Sequence, residues 1–564
     1  MSFDATPPDR GEIDRLFLQT PPVKPGDFEL ALVMGGTVSA GAWTAGAVDF
    51  LFEALDCFET AKASGGAPRH DVILKVVAGT SGGGVNAAIA ARALAYDWPH
   101  VVRATPMPML PAAINPFYEI WINRLTLPRF LDPSDIAGTI PSVLNGAPID
   151  DAAQWIEAYE ANARSAPRAW IAAPLTVILT VTNLCGIPSR VSFGAGQFED
   201  FIDHADHARF AVYYPGQSTD RSPRPDEFAL GFGSARLPQM VGWSDFSQFA
   251  RATSAFPVGF PTRQLTRPLA QYKYRVVAVP PGPGEQTSYR VVSPDWSKMV
   301  GGADPIPETY HFSAVDGGAT DNEPVELART ALAGLLGRNP RDADEANRAV
   351  LLVDPFAGRT PVTPAGVSGA VKTATATLTA LLQQTRYSTS DLLLAADEEV
   401  FSRFMLTPVR DGLTGGEALA ANGLGAFIGF ASDAFMRHDY LLGRYNCQKF
   451  LREEFRLARA NPLFHAWSDG DKDKHAVDGM LPIVPLFGDA DIAETKEAWP
   501  KGRLDPESYR DAIEERFRAI FEVETEGIIG GAVARWIGAH LTQKEAADYV
   551  ITAMKNYLVA AKLS

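Results

Sequence analysis

Short apolar runs that close on glycine, each followed by a stretch with helical spacing, set the pattern of the first hundred residues. Leu30–Met34 is a continuous apolar run ended by Gly35-Gly36, which reads as a buried strand entering a turn. Behind it, Trp43, Ala47, Phe50, Leu51 and Leu55 give Ala42–Leu55 the spacing of a helix. Ile73–Ala78 repeats the strand signal, and Gly79-Thr80-Ser81-Gly82-Gly83 repeats the turn. A small-residue helix is predicted from about Val85 to Ala95. Two strand–turn–helix units in succession predict an α/β layer architecture around a mostly parallel sheet.

Further buried strands are predicted at Leu175–Thr182, Phe312–Val315 and Ala349–Val353, each apolar and bounded by turns. Residues 280–307, rich in Pro and Gly, read as an excursion off the core. The pattern divides the chain into a loose lead-in over 1–27, an α/β unit over 28–360 and a mainly helical region over 361–564 expected to pack on it. In that last part Val367–Val400, Gly423–Ala458, Pro506–Phe521 and Lys544–Leu563 have helical composition.

Composition narrows the function classes. Hydrophobic residues make up 46 % and charged residues 21 % of the 564, an ordinary folded balance that argues against disorder and against a membrane bundle. The net charge of −16 speaks against a nucleic-acid partner, because neutralising phosphates takes clustered cations. Cys57, Cys185 and Cys447 cannot make a disulfide framework or a four-thiolate zinc site, so a reducing, cytoplasmic setting is expected. The first residues lack a basic segment followed by an apolar one, which argues against a secretory signal. No apolar run is long enough to span a bilayer, so any membrane contact is expected to be peripheral.

The chemistry concentrates at the glycine turns. Gly79-Thr80-Ser81-Gly82-Gly83 fits Gly-x-Ser-x-Gly between a strand and a helix, the setting a nucleophile elbow needs. The following helix would aim its positive end at Ser81. The Gly35-Gly36-Thr37-Val38-Ser39-Ala40-Gly41 loop lacks the Lys-Ser/Thr of a nucleotide P-loop and the spacing of a dinucleotide fingerprint. Paired with Ser81, its small residues make it a candidate oxyanion hole. Val315-Asp316-Gly317-Gly318 places an acid at the end of an apolar strand, although an acid before two glycines is also a common turn. None of the nine histidines has the setting of a triad member. Asp203-His204-Ala205-Asp206-His207 is expected to be a solvated polar stretch rather than a metal site. Asp469-Gly470-Asp471-Lys472-Asp473 is expected to be an acidic loop, because Lys474 and Met480 stand where a calcium loop needs Gly and Glu.

The Gly-Gly loop, the Ser81 elbow and Asp316-Gly317-Gly318 occur in the order found in patatin-like acyl hydrolases, and the chain resembles that family over about residues 28–356. Thr182-Asn183-Leu184 with Gly186, Ala252-Thr253-Ser254-Ala255-Phe256-Pro257 and Asp321-Asn322-Glu323-Pro324 are similar to family segments. Gly443–Gln448 resembles a segment of longer bacterial members. The resemblance implies a three-layer fold, a central mostly parallel sheet between helices, and a lipid acyl hydrolase of the phospholipase, lipase or esterase type. Ser81 would be the nucleophile, Asp316 its base, and the amides of Gly35, Gly36 and Thr37 the oxyanion donors, with no metal or organic cofactor. One departure stands out: Thr37 replaces the third glycine of the family loop, and Ser39 stands near its basic position.

The apolar residues 104–131 and Gly423–Met436 are each open to two readings, ordinary core or an acyl groove and lipid-resting surface. The partner implied is a lipid or phospholipid ester. Two other readings fit the same residues: an acyltransferase using the same acyl-enzyme, and a catalytically weak lipid-binding protein.

Overall fold

The computed structural model of the chain describes residues 22–100, 115–164, 167–194, 197–232, 237–272, 275–279, 288–292, 294–296, 308–334, 339–357, 397, 399–523 and 543–564. Most of Val367–Val400 and of the lead-in lies outside these residues, as do residues 104–114 of the apolar stretch.

The first four elements follow the sequence pattern: β1 (Asp27–Met34), α1 (Gly41–Ala63), β2 (Asp71–Gly79) and α2 (Gly82–Ala93). Then come α3 (Ala147–Ala158), β3 (Ile171–Gly194), β4 (Gln197–Tyr213), β5 (Glu227–Gly231), α4 (Trp243–Thr253), β6 (Arg263–Pro268), β7 (Thr309–Asp316), α5 (Val325–Ala333) and β8 (Arg348–Val353). Beyond residue 400 follow β9 (Arg403–Leu406), α6 (Asp433–Glu453), α7 (Arg510–Glu522) and α8 (Gln543–Ala560). After residue 500 the described segments are helical.

The central sheet runs β9-β8-β1-β2-β3-β7-β6, with β4 and then β5 joined to β3. From β9 to β3 the neighbours are parallel, as crossover helices dictate. The β3–β4, β3–β7 and β7–β6 pairs are antiparallel. Strand alternation splits the core into two layers. Leu30 and Leu32 face the large cluster beneath α1 and α2, whereas Ala31 and Val33 pack with Val325, Ala328 and Leu332 of α5. The result is an α/β sandwich with helices on both faces of a mostly parallel sheet.

Residues 275–279 and 288–292 form a separate two-stranded hairpin, in keeping with an excursion off the core. Two expectations need correction. Asp203–His207 is the middle of β4 and only partly solvated: His204 is exposed and Asp203, Ala205 and His207 are half-buried, while Asp206 is buried and accepts from Arg267 Nη1 at 2.8 Å and Tyr272 OH at 2.7 Å. An acid buried with its own cation and phenol reads in the sequence like any polar run. Asp469–Asp473 is not a loop but the start of a short helix, Asp469–His475, capped by the Ser468 hydroxyl. Early acids suit the positive end of a helix, so the charge run was a helix start.

The region beyond residue 400 is built into this core. β9 extends the central sheet, and α6 lies against α1 so closely that a Cβ on Gly443 would sit 2.1 Å from the Trp43 carbonyl oxygen. Only a glycine tolerates that approach. Beside the crossing, buried Arg444 donates to Asp49 at 2.6 Å and Glu494 at 2.8 Å and also pairs with Glu53. Asp49 further accepts from Trp98 Nε1, Asn115 Nδ2 and Tyr440 OH. Burial alone would raise the Asp49 carboxyl; His100 and Arg444 hold it well below the usual carboxylate range.

Candidate active site

Two strand ends meet on one edge of β3. Gly79, the last residue of β2, pairs with Leu179, and Asp316, the last residue of β7, pairs with Val181 from the opposite direction. β4 occupies the other edge of β3, so β2 and β7 approach each other end to end. That geometry brings Ser81, two residues past β2, to Asp316. The Ser81 hydroxyl donates to Asp316 Oδ2 at 2.5 Å.

Ser81 sits at φ +55°, ψ −127°, a conformation that non-glycine residues rarely hold. The turn is enforced from three sides. The Ser81 amide donates to Thr253 Oγ1 at 3.0 Å, its carbonyl accepts from Val85 N at 3.0 Å, and Gly83 packs against β1. A Cβ on Gly83 would lie 2.3 Å from the Met34 carbonyl oxygen. Ser81 also stands at the positive end of α2, where developing negative charge is favoured.

Asp316 is held as firmly. Its amide donates to the Ala255 carbonyl at 2.9 Å, and its carbonyl accepts from Thr182 Oγ1 at 2.8 Å. Gly317 and Gly318 form the 3-10 turn that follows, and the Gly318 amide donates to Asp316 Oδ1 at 2.8 Å. Burial pushes the Asp316 carboxyl up to about 7, against the opposing pull of the Ser81 and Gly318 hydrogen bonds. At neutral pH a substantial fraction is therefore ionised and able to accept a proton. Among the described residues no histidine hydrogen-bonds to Ser81 or Asp316.

The loop after β1 is arranged differently from expectation. The Gly35 amide donates to the Val353 carbonyl at 3.2 Å, continuing the ladder with β8, and the Gly36 amide donates to the Asn322 carbonyl at 3.3 Å. Both face protein oxygens. The Thr37 amide has no acceptor among the described residues. Thr37 adjoins the elbow: a Cβ on Gly82 would lie 2.1 Å from Thr37 Oγ1. Val38 follows at φ +48°, an unusual conformation for a β-branched residue. Ser39, near the position where a basic residue was expected by resemblance, is fully buried and its hydroxyl donates to the Ala426 carbonyl.

Ser81 opens onto a partly open, apolar cavity. Its walls are Val85 and Ala88 of α2, Ala152 and Ile156 of α3, Trp121, Leu125 and Phe130, Phe256 and Phe260, and Phe427 and Phe430. Arg251 is the one charged residue on the wall among the described residues. Both apolar stretches singled out in the sequence thus reach the cavity, 115–131 through Trp121, Leu125 and Phe130 and 423–436 through Phe427 and Phe430. Such an enclosure suits a hydrocarbon chain. Sequence reasoning missed Thr253 as the support of the elbow amide and Thr182 as the anchor of Asp316, although both fall inside segments it had marked. Phe427 and Phe430 carried no signal of their own beyond apolarity. Among the described residues no group of three or more His, Cys, Asp or Glu side chains could hold a metal ion. No helix among them is long and apolar enough to cross a membrane.

With this geometry in view, comparison with known proteins gives the family. The chain belongs to the patatin-like phospholipases, whose family pattern matches residues 32–329. It is similar to an uncharacterized protein, y4iI, of Sinorhizobium fredii (strain NBRC 101917 / NGR234), at 34 % identity over 512 residues. That alignment covers 82 % of this chain and 71 % of the relative. Membership implies, in general terms, acyl hydrolysis of lipid substrates.

Proposed function

We propose that the chain is a carboxylic-ester hydrolase acting on lipids through a Ser81–Asp316 dyad and an acyl-serine intermediate. The observation that carries the reading is the direct 2.5 Å hydrogen bond from the Ser81 hydroxyl to a buried, proton-accepting Asp316. Serine is a weak nucleophile, so its proton must leave as the oxygen attacks the ester carbonyl. Asp316 Oδ2 is placed to take it. A carboxylate raised to about 7 is a better base than an ordinary aspartate while still ionised in part at neutral pH.

The oxyanion formed in that step is held by the Thr37 amide and the Gly82 amide at the first turn of α2. The engaged amide of Gly35 supports the loop instead, and that of Gly36 contributes only if it leaves Asn322. One such donor is worth about 10²–10³ in rate. Asp316 returns the proton to the departing alcohol, leaving the acyl group on Ser81. Water then attacks, giving its proton to Asp316, and collapse releases the fatty acid and restores the Ser81 hydroxyl. Fluorophosphonate labelling of wild type and Ser81→Ala, followed by a panel of lipid classes, tests the reading. Labelling and ester turnover that persist in Ser81→Ala would overturn it.

A further inference from the structure

We infer that residues 423–431, about a hundred positions beyond the family match, form a fixed wall of the acyl cavity and select acyl chains of about eight carbons. This rests on Ser81 as the point of attachment. From Ser81 the cavity follows α2 as far as Ala88. Seven residues of helix span about 10 Å. An extended hydrocarbon of roughly eight carbons covers that distance at ordinary single-bond lengths.

Part of the cavity wall comes from the C-terminal region, through Phe427 and Phe430. The Phe427 ring meets Phe256 at 5.6 Å and the Phe430 ring meets Phe130 at 5.0 Å, so the two segments close on each other as one aromatic surface. Contacts on both sides keep it in place. The Ser39 hydroxyl donates to Ala426 O, the Asp439 carboxylate accepts from the Ala420 and Ala421 amides at 2.9 Å, and Tyr557 OH donates to Ala420 O at 3.0 Å. Between these braces Leu424, Gly425 and Ala426 run at φ +55°, +63° and +66°. Leucine and alanine hold such angles only where surrounding contacts impose them. A wall so tied limits chain length by its position.

The test is a p-nitrophenyl ester series from acetate to palmitate, read as ratios of kcat/KM within each protein so that the amount of active enzyme cancels. Wild type is expected to rise about fourfold per added methylene up to roughly eight carbons and to stop rising beyond ten. Phe430→Ala should raise the myristate-to-octanoate ratio at least tenfold, and Ala152→Phe should lower it. Ratios within twofold of wild type in both variants overturn the proposal. A second arm needs no chemistry: fatty acids of four to sixteen carbons displace the apolar dye 1-anilinonaphthalene-8-sulfonate from Ser81→Ala protein. If that displacement favours about eight carbons and shifts to longer chains with Phe430→Ala added, the cavity assignment holds even where ester turnover proves independent of Ser81. Displacement without length preference overturns the cavity assignment whatever the turnover shows.

Discussion

Replacing Asp316 by Asn should abolish ester turnover and yet stabilise the protein, by an amount that depends on pH. Unfolded, an aspartate titrates near 3.8; folded, burial moves Asp316 to about 7. Between those values the folded state holds a proton that the unfolded chain has released. Stability from this group therefore falls as pH rises from about 4 to 7 and stays at its lower level above. A gap of about three pH units amounts to roughly 4 kcal/mol, at about 1.36 kcal/mol per unit. Asparagine keeps the shape, can accept from Gly318 and can donate to Ser81, and carries no charge to bury. From pH 5 to pH 8 it should accordingly gain about 2–3 kcal/mol on the wild type. Urea denaturation of both proteins at the two pH values measures this, and kcat/KM on a soluble ester supplies the kinetic counterpart. Wild-type turnover should fall about tenfold per pH unit below 7 as the base becomes protonated. A stability difference that ignores pH, or a rate that stays flat down to pH 5, would refute the argument.

Ser81→Ala and Asp316→Asn should each remove nearly all turnover, with the double variant little worse than either, since the pair works as one unit; additive losses would mean separate roles. Hydrolysis of a soluble short-chain ester should survive EDTA, and a loss that calcium reverses would show that a metal takes part. Arg444→Met should cost about 3–5 kcal/mol in denaturation, because it strands buried Asp49, Glu53 and Glu494 together. A loss under 1 kcal/mol would mean the cluster is tolerated without its cation.

Much of the α/β part was legible because its signals are local. The parallel strands β1 and β8 are buried on both faces, β2 is so over its second half, and all three read as largely apolar runs; both glycine turns lie between a strand and a helix. The antiparallel half was harder. β4 carries Asp200, Asp203 and Asp206 among its apolar residues, and only the fold shows that Arg267 and Tyr272, some sixty residues on, neutralise Asp206. β9 is four residues long and is a strand because β8 lies beside it. At the site, Ser81 and Asp316 announced themselves through glycine. The Gly35–Gly41 loop did not disclose which of its amides are engaged, since that depends on the carbonyls of Val353 and Asn322, far away in the chain. The contribution of Phe427 and Phe430 depends on how α6 and α8 hold the turn before them, which no local pattern encodes.

The end-to-end meeting of β2 and β7 has a consequence for how such chains can diverge. The spacing of serine and aspartate is gauged by Leu179 and Val181, two residues of a strand that contains neither of them. Apart from that strand and from Thr253 and Ala255, which hold the two backbones, the residues between Ser81 and Asp316 take no part in that measurement. Insertions, deletions or wholesale replacement of the intervening loops leave the pair in register while β3 keeps its edge. A one-residue insertion between Leu179 and Val181 would instead displace one partner along the edge by about 3.3 Å. Length variation should accordingly be free across the loops and absent from that short piece of β3.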